Sequence, residues 1–466
     1  MNMEGTLVAA QWTFLGYFIA LNLGYLALNL LAFVSIWRAQ SAHGAVGLPA
    51  AQGDLWPPVS LIVPCYNEQA TIATSVRSLL QLEYPEFEIV VVNDGSSDAT
   101  LDVLVHEFAL APFPEAYRVR LRTQPVRSVY RSARHGNIRV IDKQNGGKAD
   151  ALNAGINDAR YPLFCSVDAD SILSRDSLKR VVEPFLEDAD TVAAGGTVRI
   201  ANGCTVQEGF LVAPGLPRNP LALVQVIEYL RAFLFGRLGW SPINALLIIS
   251  GAFGVFRKEA VVEAGGYRTD TLGEDMELVV RLHRQRRLAG KPCRITFVPD
   301  PICWTEAPED LATLRRQRVR WQRGLAESLA LNRGLLFHPR GGTPGWLAFP
   351  FMLVFEWFGP VVEVAGYAFM FVAFLLGIVS LQALAVFLFA AIGLGVLLSV
   401  NALLLEEISF HIYTRARDTL RLVIAVLIEN FGYRQLNSLW RLYGLFRWIT
   451  GARGDWGKMR RRGAAT

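Results

Sequence analysis

Two long stretches without Asp, Glu, Lys or Arg constrain this chain more than any other feature. Residues 5–37 form an uncharged run of 33, and residues 364–405 one of 42. About 20 apolar residues suffice to cross a bilayer as a helix, so both runs are long enough to span one. The composition agrees: 52% of residues are hydrophobic, only 19% are charged, and the mean hydropathy is +0.29. Such values argue against a wholly soluble protein.

The first run reads as a retained helix over residues 7–37, with Arg38 at its cytoplasmic end. A cleaved signal would begin with a basic region, whereas this N-terminus carries Glu4 and no Lys or Arg. As one helix the second run would be about 63 Å long, twice a hydrocarbon core of about 30 Å. Two helices with a tight turn near Gly377 to Gln382 are therefore expected. Residues 346–358 are apolar but short, which suits an interfacial or re-entrant piece. Residues 420–448 mix apolar positions with Glu429, Arg434, Arg441 and Arg447, the pattern of a helix lying in the interface. A third span lined with functional charges is the alternative. The basic tail (Arg453, Lys458, Arg460, Arg461, Arg462) is placed in the cytoplasm, which makes an even number of C-terminal spans, taken as two.

Other classes fall away. A net charge of +5 calls for no nucleic acid. The five cysteines are scattered without a C-x-x-C pair, as expected of reduced thiols and not of a zinc site. The six histidines lack ligand spacing.

Between the runs, residues 55–340 alternate apolar strands with helices. Residues 59–63 (VSLIV), 88–92 (EIVVV), 163–167 and 295–298 read as strands, and residues 70–82 and 276–284 as helices. Continuous β-branched strands alternating with helices predict a mostly parallel sheet covered on both faces. Ligands of such sheets sit at the carboxyl ends of the strands. There this chain has Asn67-Glu68, then Asp94 with Asp98, then Asp168-Ala169-Asp170, and no glycine-rich phosphate loop. Two carboxylates at i and i+2 can face one hard cation, although a solvated turn has the same spelling. Glu274-Asp275 opens a helix and is either an N-terminal dipole complement or a general base. Residues 315–323 pack five arginines around Trp321: a lipid-facing helix, or a diphosphate clamp with a stacking platform.

Taken in order from Val59 to Gly324, these motifs resemble the processive, membrane-embedded family-2 glycosyltransferases, the group of cellulose, chitin, hyaluronan and bacterial poly-N-acetylglucosamine synthases. The resemblance implies an α/β GT-A (Rossmann-like) cytosolic domain inserted between N-terminal and C-terminal transmembrane or interfacial helices. It implies transfer from a UDP-sugar with a divalent metal (Mg²⁺ or Mn²⁺). Asn67, Glu68, Asp94, Asp98 and Lys148 would bind the nucleotide-sugar together with Asp168, Gln317 and Arg320. Asp170 would be the metal ligand, with Asp168 beside it. Asp275, next to Glu274, falls on the catalytic base, and Trp321 with Ser250, Gly251 and Phe253 on the acceptor side. One departure stands out: the threonine of the family's Thr-Glu-Asp is Gly273 here.

The expected organisation is a transmembrane helix over 1–40, the glycosyltransferase domain over 55–340, membrane and interfacial helices over 341–450, and a basic tail over 451–466. UDP-N-acetylglucosamine or UDP-glucose would be polymerised onto a growing glycan at the inner membrane and secreted through the helices. A pore of about three spans leaves room for an accessory subunit or a second copy. The competing expectation is transfer of one sugar to a membrane lipid, which the Gln317, Arg320 and Trp321 motif argues against.

Overall fold

The apolar runs of the middle segment become the centre of one ten-stranded sheet in the computed structural model, which describes residues 3–45, 56–113 and 119–451. The strands are β1 Val59–Cys65, β2 Phe87–Asn93, β3 Leu110–Pro112, β4 Val126–Ser132, β5 Ile138–Lys143, β6 Leu163–Val167, β7 Ile172–Leu173, β8 Thr191–Ile200, β9 Thr205–Gln207, β10 Phe210–Ala213, β11 Phe253–Arg257 and β12 Arg294–Thr305. Their order is β3-β4-β5-β2-β1-β6-β11-β8-β12-β7, with β9 and β10 forming a separate ribbon. In the centre, β5, β2, β1 and β6 run parallel. Every residue of β5, β6 and β8 is buried, as a strand covered by helices on both faces must be.

The sheet is mixed, which corrects the expectation of a mostly parallel one. β11 lies antiparallel between β6 and β8, and β4 and β7 are also antiparallel to their neighbours. The four strands read from the sequence omit β11, and the pattern of side chains along a strand carries no direction. The direction matters here. β11 starts at the edge where β6 ends, with Phe253 opposite Val167. The turn Ser250-Gly251-Ala252 leading into β11 therefore meets the loops that leave β1, β2, β5 and β6.

The helical part follows the uncharged runs. Residues Gly5–Arg38 of the first helix and Leu381–Ser409 are long and apolar enough to cross a membrane. Helices Pro344–Trp357 and Gly359–Leu375 meet at a 43° bend and qualify only as a broken span or a re-entrant loop. The break between Leu375 and Leu381 coincides with the expected turn: Gly377 has φ +72°, and the Ser380 hydroxyl accepts the Ala383 N–H at 3.1 Å. Trp12, Leu30, Leu375 and Phe389 stand outward and exposed, as lipid-facing residues would. The charged C-terminal stretch is two helices, Ala416–Ile428 and Arg434–Ile449, broken at Phe431 and Gly432, where φ reaches +107° at the glycine. The single interfacial helix expected there is thus corrected. From residue 452 on, the basic tail lies outside the described residues.

Buried ion pairs tie this helical part to the sheet domain. Arg199 at the end of β8 pairs with Glu406, and Arg231 meets Glu429 at 2.7 Å. Arg441 meets Glu356 at 2.8 Å, and Gln322 bridges the two by accepting from Arg441 Nε and donating to the Glu356 carbonyl.

Candidate active site

The residues expected to bind the nucleotide lie on loops that leave parallel strands and are bonded to one another. Asn67, at φ +56°, accepts the Ser97 N–H at 2.8 Å through its side chain, while its own N–H donates to Ser96 Oγ at 3.0 Å. Glu68 accepts from Thr71 Oγ1, and its N–H donates to Thr100 Oγ1. Asp98 accepts from the Thr100 and Gln69 N–H groups; partial burial would raise its pKa, but these bonds outweigh it and hold the carboxyl below the usual range.

Asp94 is buried and takes three donors: Lys143, the Gly146 N–H at 3.0 Å and the Gly147 N–H at 2.8 Å. Lys143, which sequence reasoning missed, is fully buried and also reaches Asp150 at 2.6 Å. Its strand, IRVIDK, also carries Arg139 and Asp142, so nothing in its spelling marked this lysine as buried. Asp94 thus latches the loop of residues 144–147 against β2, and the next residue, Lys148, starts the helix Lys148–Asp158.

Lys148 links these loops to Asp168 and to the turn that holds Asp275. Its ammonium lies 2.5 Å from Asp168 and donates to the Gly251 carbonyl at 3.2 Å. Burial would lower its pKa, but Asp168, Glu274 and Asp275 together raise it, so the amine stays charged. The Gly251 N–H in turn donates to Asp275 Oδ2 at 3.1 Å, and the Met276 N–H to Asp275 Oδ1 at 2.8 Å. The Asp275 carboxylate is therefore aimed by two backbone bonds, one from the β11 turn and one from its own helix, Glu274–Leu288. Beside it Glu274 is buried; burial, opposed by Lys148 and reinforced by Asp275, pushes its pKa up to about 7. The charge of Arg320 is also felt at Glu274.

A second group missed by the sequence reading is Arg237. Its guanidinium lies 3.7 Å from the Phe233 ring centroid, and its Nη1 is buried without a hydrogen-bond partner. Burial lowers its pKa to about 10 against the opposing pull of Asp275. Nothing in the spelling of residues 231–237 distinguishes it from a surface arginine.

The helix Leu311–Leu331 carries Gln317, Arg320 and Trp321. Gln317 is buried, Arg320 is partly exposed, and Trp321 is 42% exposed, open enough to offer a ring face. The Gly273 departure has a geometric cause. A Cβ on Gly273 would lie 2.8 Å from the Gly324 Cα, so the start of the Glu274–Leu288 helix touches the Leu311–Leu331 helix backbone to backbone. Glu327 completes the joint by accepting the Leu272 N–H at 2.8 Å and Thr271 Oγ1 at 3.0 Å. One assignment needs correction: Phe253 is fully buried in the sheet opposite Val167, so its side chain cannot line an acceptor surface. Ser250 and Gly251 remain at the edge, half-buried.

Asp168 and Asp170 follow β6, both partly exposed. Among the described residues no three His, Cys, Asp or Glu side chains converge as a metal cage. Two carboxylates, one already facing Lys148, suit a hard cation whose remaining positions are filled by phosphate and water.

Residues 60–135 match the family described as glycosyl transferase family 2, and residues 116–324 that described as glycosyltransferase like family 2. Poly-beta-1,6-N-acetyl-D-glucosamine synthases of Staphylococcus epidermidis and Staphylococcus aureus (strain COL) are 30% and 33% identical over 272 and 274 residues. These alignments cover 58% of this chain and 55% of each relative, so the chain spans about half the length of the curated relatives it matches. Among solved structures, a mannosyltransferase from Pyrobaculum calidifontis, in complex with GDP-Man and Mn²⁺, aligns over 90% of this chain and 99% of its own at a TM-score of 0.50 and 19% identity. That likeness shows the fold, a GT-A-like glycosyltransferase fold with a mixed sheet. The two matched segments together run from residue 60 to residue 324, so over that stretch the chain carries glycosyltransferase family 2 domains.

Proposed function

We propose that this chain polymerises a UDP-sugar, with UDP-N-acetylglucosamine favoured over UDP-glucose, into a polysaccharide at the cytoplasmic face of the inner membrane. The observation that carries the reading is the Asp275 carboxylate, aimed by the Gly251 and Met276 N–H groups beside the Lys148–Asp168 pair. The names of the staphylococcal relatives support the sugar and the polymer.

In the proposed step an acceptor hydroxyl oxygen attacks the anomeric carbon. The carbon–oxygen bond to the diphosphate breaks, its electron pair leaves with UDP, and Asp275 takes the hydroxyl proton. A positioned base of this kind is worth typically about 10²–10⁴ in rate. Lys148 and Arg320 counter the charge that develops on the leaving diphosphate, the electrostatic contribution that is usually largest. Asp170, with Asp168, would hold a divalent ion (Mg²⁺ or Mn²⁺) that neutralises the same charge. The Pyrobaculum enzyme's Mn²⁺ and nucleotide-sugar support that choice of ligand. Trp321, exposed at the acceptor wall, carries the growing glycan, with Ser250 and Gly251 at its border.

The apolar helices Gly5–Arg38 and Leu381–Ser409, with the bent pair between Pro344 and Leu375, embed the enzyme in the bilayer several times. A polar glycan cannot cross hydrocarbon unaided, so these helices, alone or with a second copy or accessory subunit, give it a way out.

The test is full-length protein in lipid vesicles with Mg²⁺ or Mn²⁺ and a panel of radiolabelled UDP-sugars, followed by sizing of the product. High-molecular-weight polymer from one donor is expected, lost on chelation and restored by the metal. Label confined to single-sugar lipids would replace this reading with transfer to a lipid acceptor.

A further inference from the structure

Arg318 lies inside the Gln-x-x-Arg-Trp segment, yet the donor chemistry leaves it unused. It is 2% exposed, and its Nη2 donates to Glu228 Oε2 at 2.7 Å. The Tyr433 hydroxyl donates to the same Glu228 oxygen at 2.8 Å and lies 3.4 Å from Arg318 Nη2. The other face of the guanidinium has a different neighbour: its central carbon sits 4.3 Å from the centroid of the Trp321 ring. Arg318 Nε and Nη1 are buried without hydrogen-bond partners. The position of the guanidinium therefore depends on Glu228, Tyr433 and the indole.

These three residues come from different parts of the chain. Glu228 is on the helix Pro220–Leu230, Arg318 on Leu311–Leu331, and Tyr433 directly follows the break at Phe431 and Gly432. A tryptophan has two faces. Arg318 covers one by a cation–π contact, and the ring's 42% exposure leaves the rest open to a sugar. Holding an exposed indole in one orientation costs side-chain entropy, and a buried, doubly hydrogen-bonded guanidinium is the kind of support that offsets it.

We infer that Glu228, Arg318 and Tyr433 are positioning residues that fix the orientation of Trp321, so that the C-terminal helix pair sets how the acceptor end of the glycan is presented to Asp275. The inference rests on the reading of Trp321 as the acceptor platform. Its chemistry is distinct from donor binding: the hydrogen bonds that hold Arg318 run to Glu228 and Tyr433, on elements other than the strand-edge loops.

The test uses the full chain in vesicles with UDP-N-acetylglucosamine as donor and short β-1,6-linked N-acetylglucosamine oligomers as acceptor, varying each in turn. Glu228→Gln, Tyr433→Phe and Arg318→Lys (which keeps the charge and loses the planar fork) are expected to raise the acceptor KM by roughly tenfold or less, the range of a cation–π contact. They should shorten the product and leave the donor KM unchanged. A merely structural role would move donor and acceptor constants together, and that result would overturn the inference. Trp321→Ala separates the two layers of the argument. If it leaves the acceptor KM untouched, the reading of Trp321 fails and the inference with it. If it raises the acceptor KM while the three other variants do not, the positioning role alone is rejected.

Discussion

Carboxylates at the strand-edge loops of this protein and carboxylates among its helices are held in different ways. Asp94 and Asp275 are gripped largely by backbone N–H groups of adjoining loops, helped by Lys143 in the first case. Glu228, Glu406 and Glu429 are gripped by arginines from elements far away in the chain, Arg318, Arg199 and Arg231. Backbone donors at strand ends cannot shift without moving the sheet, so the first set gives a preorganised site. Long arginine side chains between helices set the docking of one part on another, so the second set fixes register. Buried pairs of this second kind are weak evidence for net stability, but breaking one is costly.

Two substitutions of similar cost should break the comparison if it is wrong. Lys143→Met leaves Asp94 and Asp150 buried without their cation and should cost about 3–5 kcal/mol, seen as a lower thermal midpoint together with weakened UDP binding. Arg199→Met strands Glu406 and should lower the midpoint to a similar extent, again about 3–5 kcal/mol, while UDP titrations stay as in the parent. Should both variants lose UDP binding equally, the two sides are not separate. Next in size is Gly273→Thr, which supplies the family's usual residue. Its Cβ would press on the Gly324 Cα, so a loss of about 1–3 kcal/mol and slower turnover are expected. A neutral outcome in both readouts would show that the backbone contact between the two helices is dispensable.

The smallest effect concerns pH. The folded-state pKa of Glu274 is raised, to about 7 from an ordinary 4.5. Between those values the folded protein holds a proton that the unfolded chain has released, so this group's contribution to stability falls as pH rises through the window. The slope is at most about 1.4 kcal/mol per pH unit, the limit for one proton. Glu274→Gln should remove it, making the thermal midpoint less dependent on pH between 5 and 7; an unaltered profile would mean the buried carboxyl is not raised.

Much of this was legible in the chain. The uncharged runs announced the long helices, and VSLIV, EIVVV and the run before Asp168 announced the strands whose ends carry the site. The start of the Glu274–Leu288 helix was visible in its acids. Three features were not. β11 was not read as a strand at all, and its direction could not be read either, since the pattern of side chains carries no strand direction. The break at Gly432 was hidden because one glycine in an apolar helical pattern is often tolerated. Lys143, Arg237 and Arg318 were hidden because a cation's burial against distant carboxylates or rings is a property of the fold. Phe253 failed in the opposite way: it neighbours the acceptor turn in sequence, yet the strand it opens carries its ring into the core.

The most direct test of the central claim is to measure UDP affinity and sugar transfer on the same preparation of Asp275→Asn. The account predicts UDP binding like the parent's and transfer lower by about 10²–10⁴. Transfer within a few-fold of the parent would contradict Asp275 as the base. Loss of UDP binding along with transfer would mean that the carboxylate holds the nucleotide site together instead of acting on the acceptor.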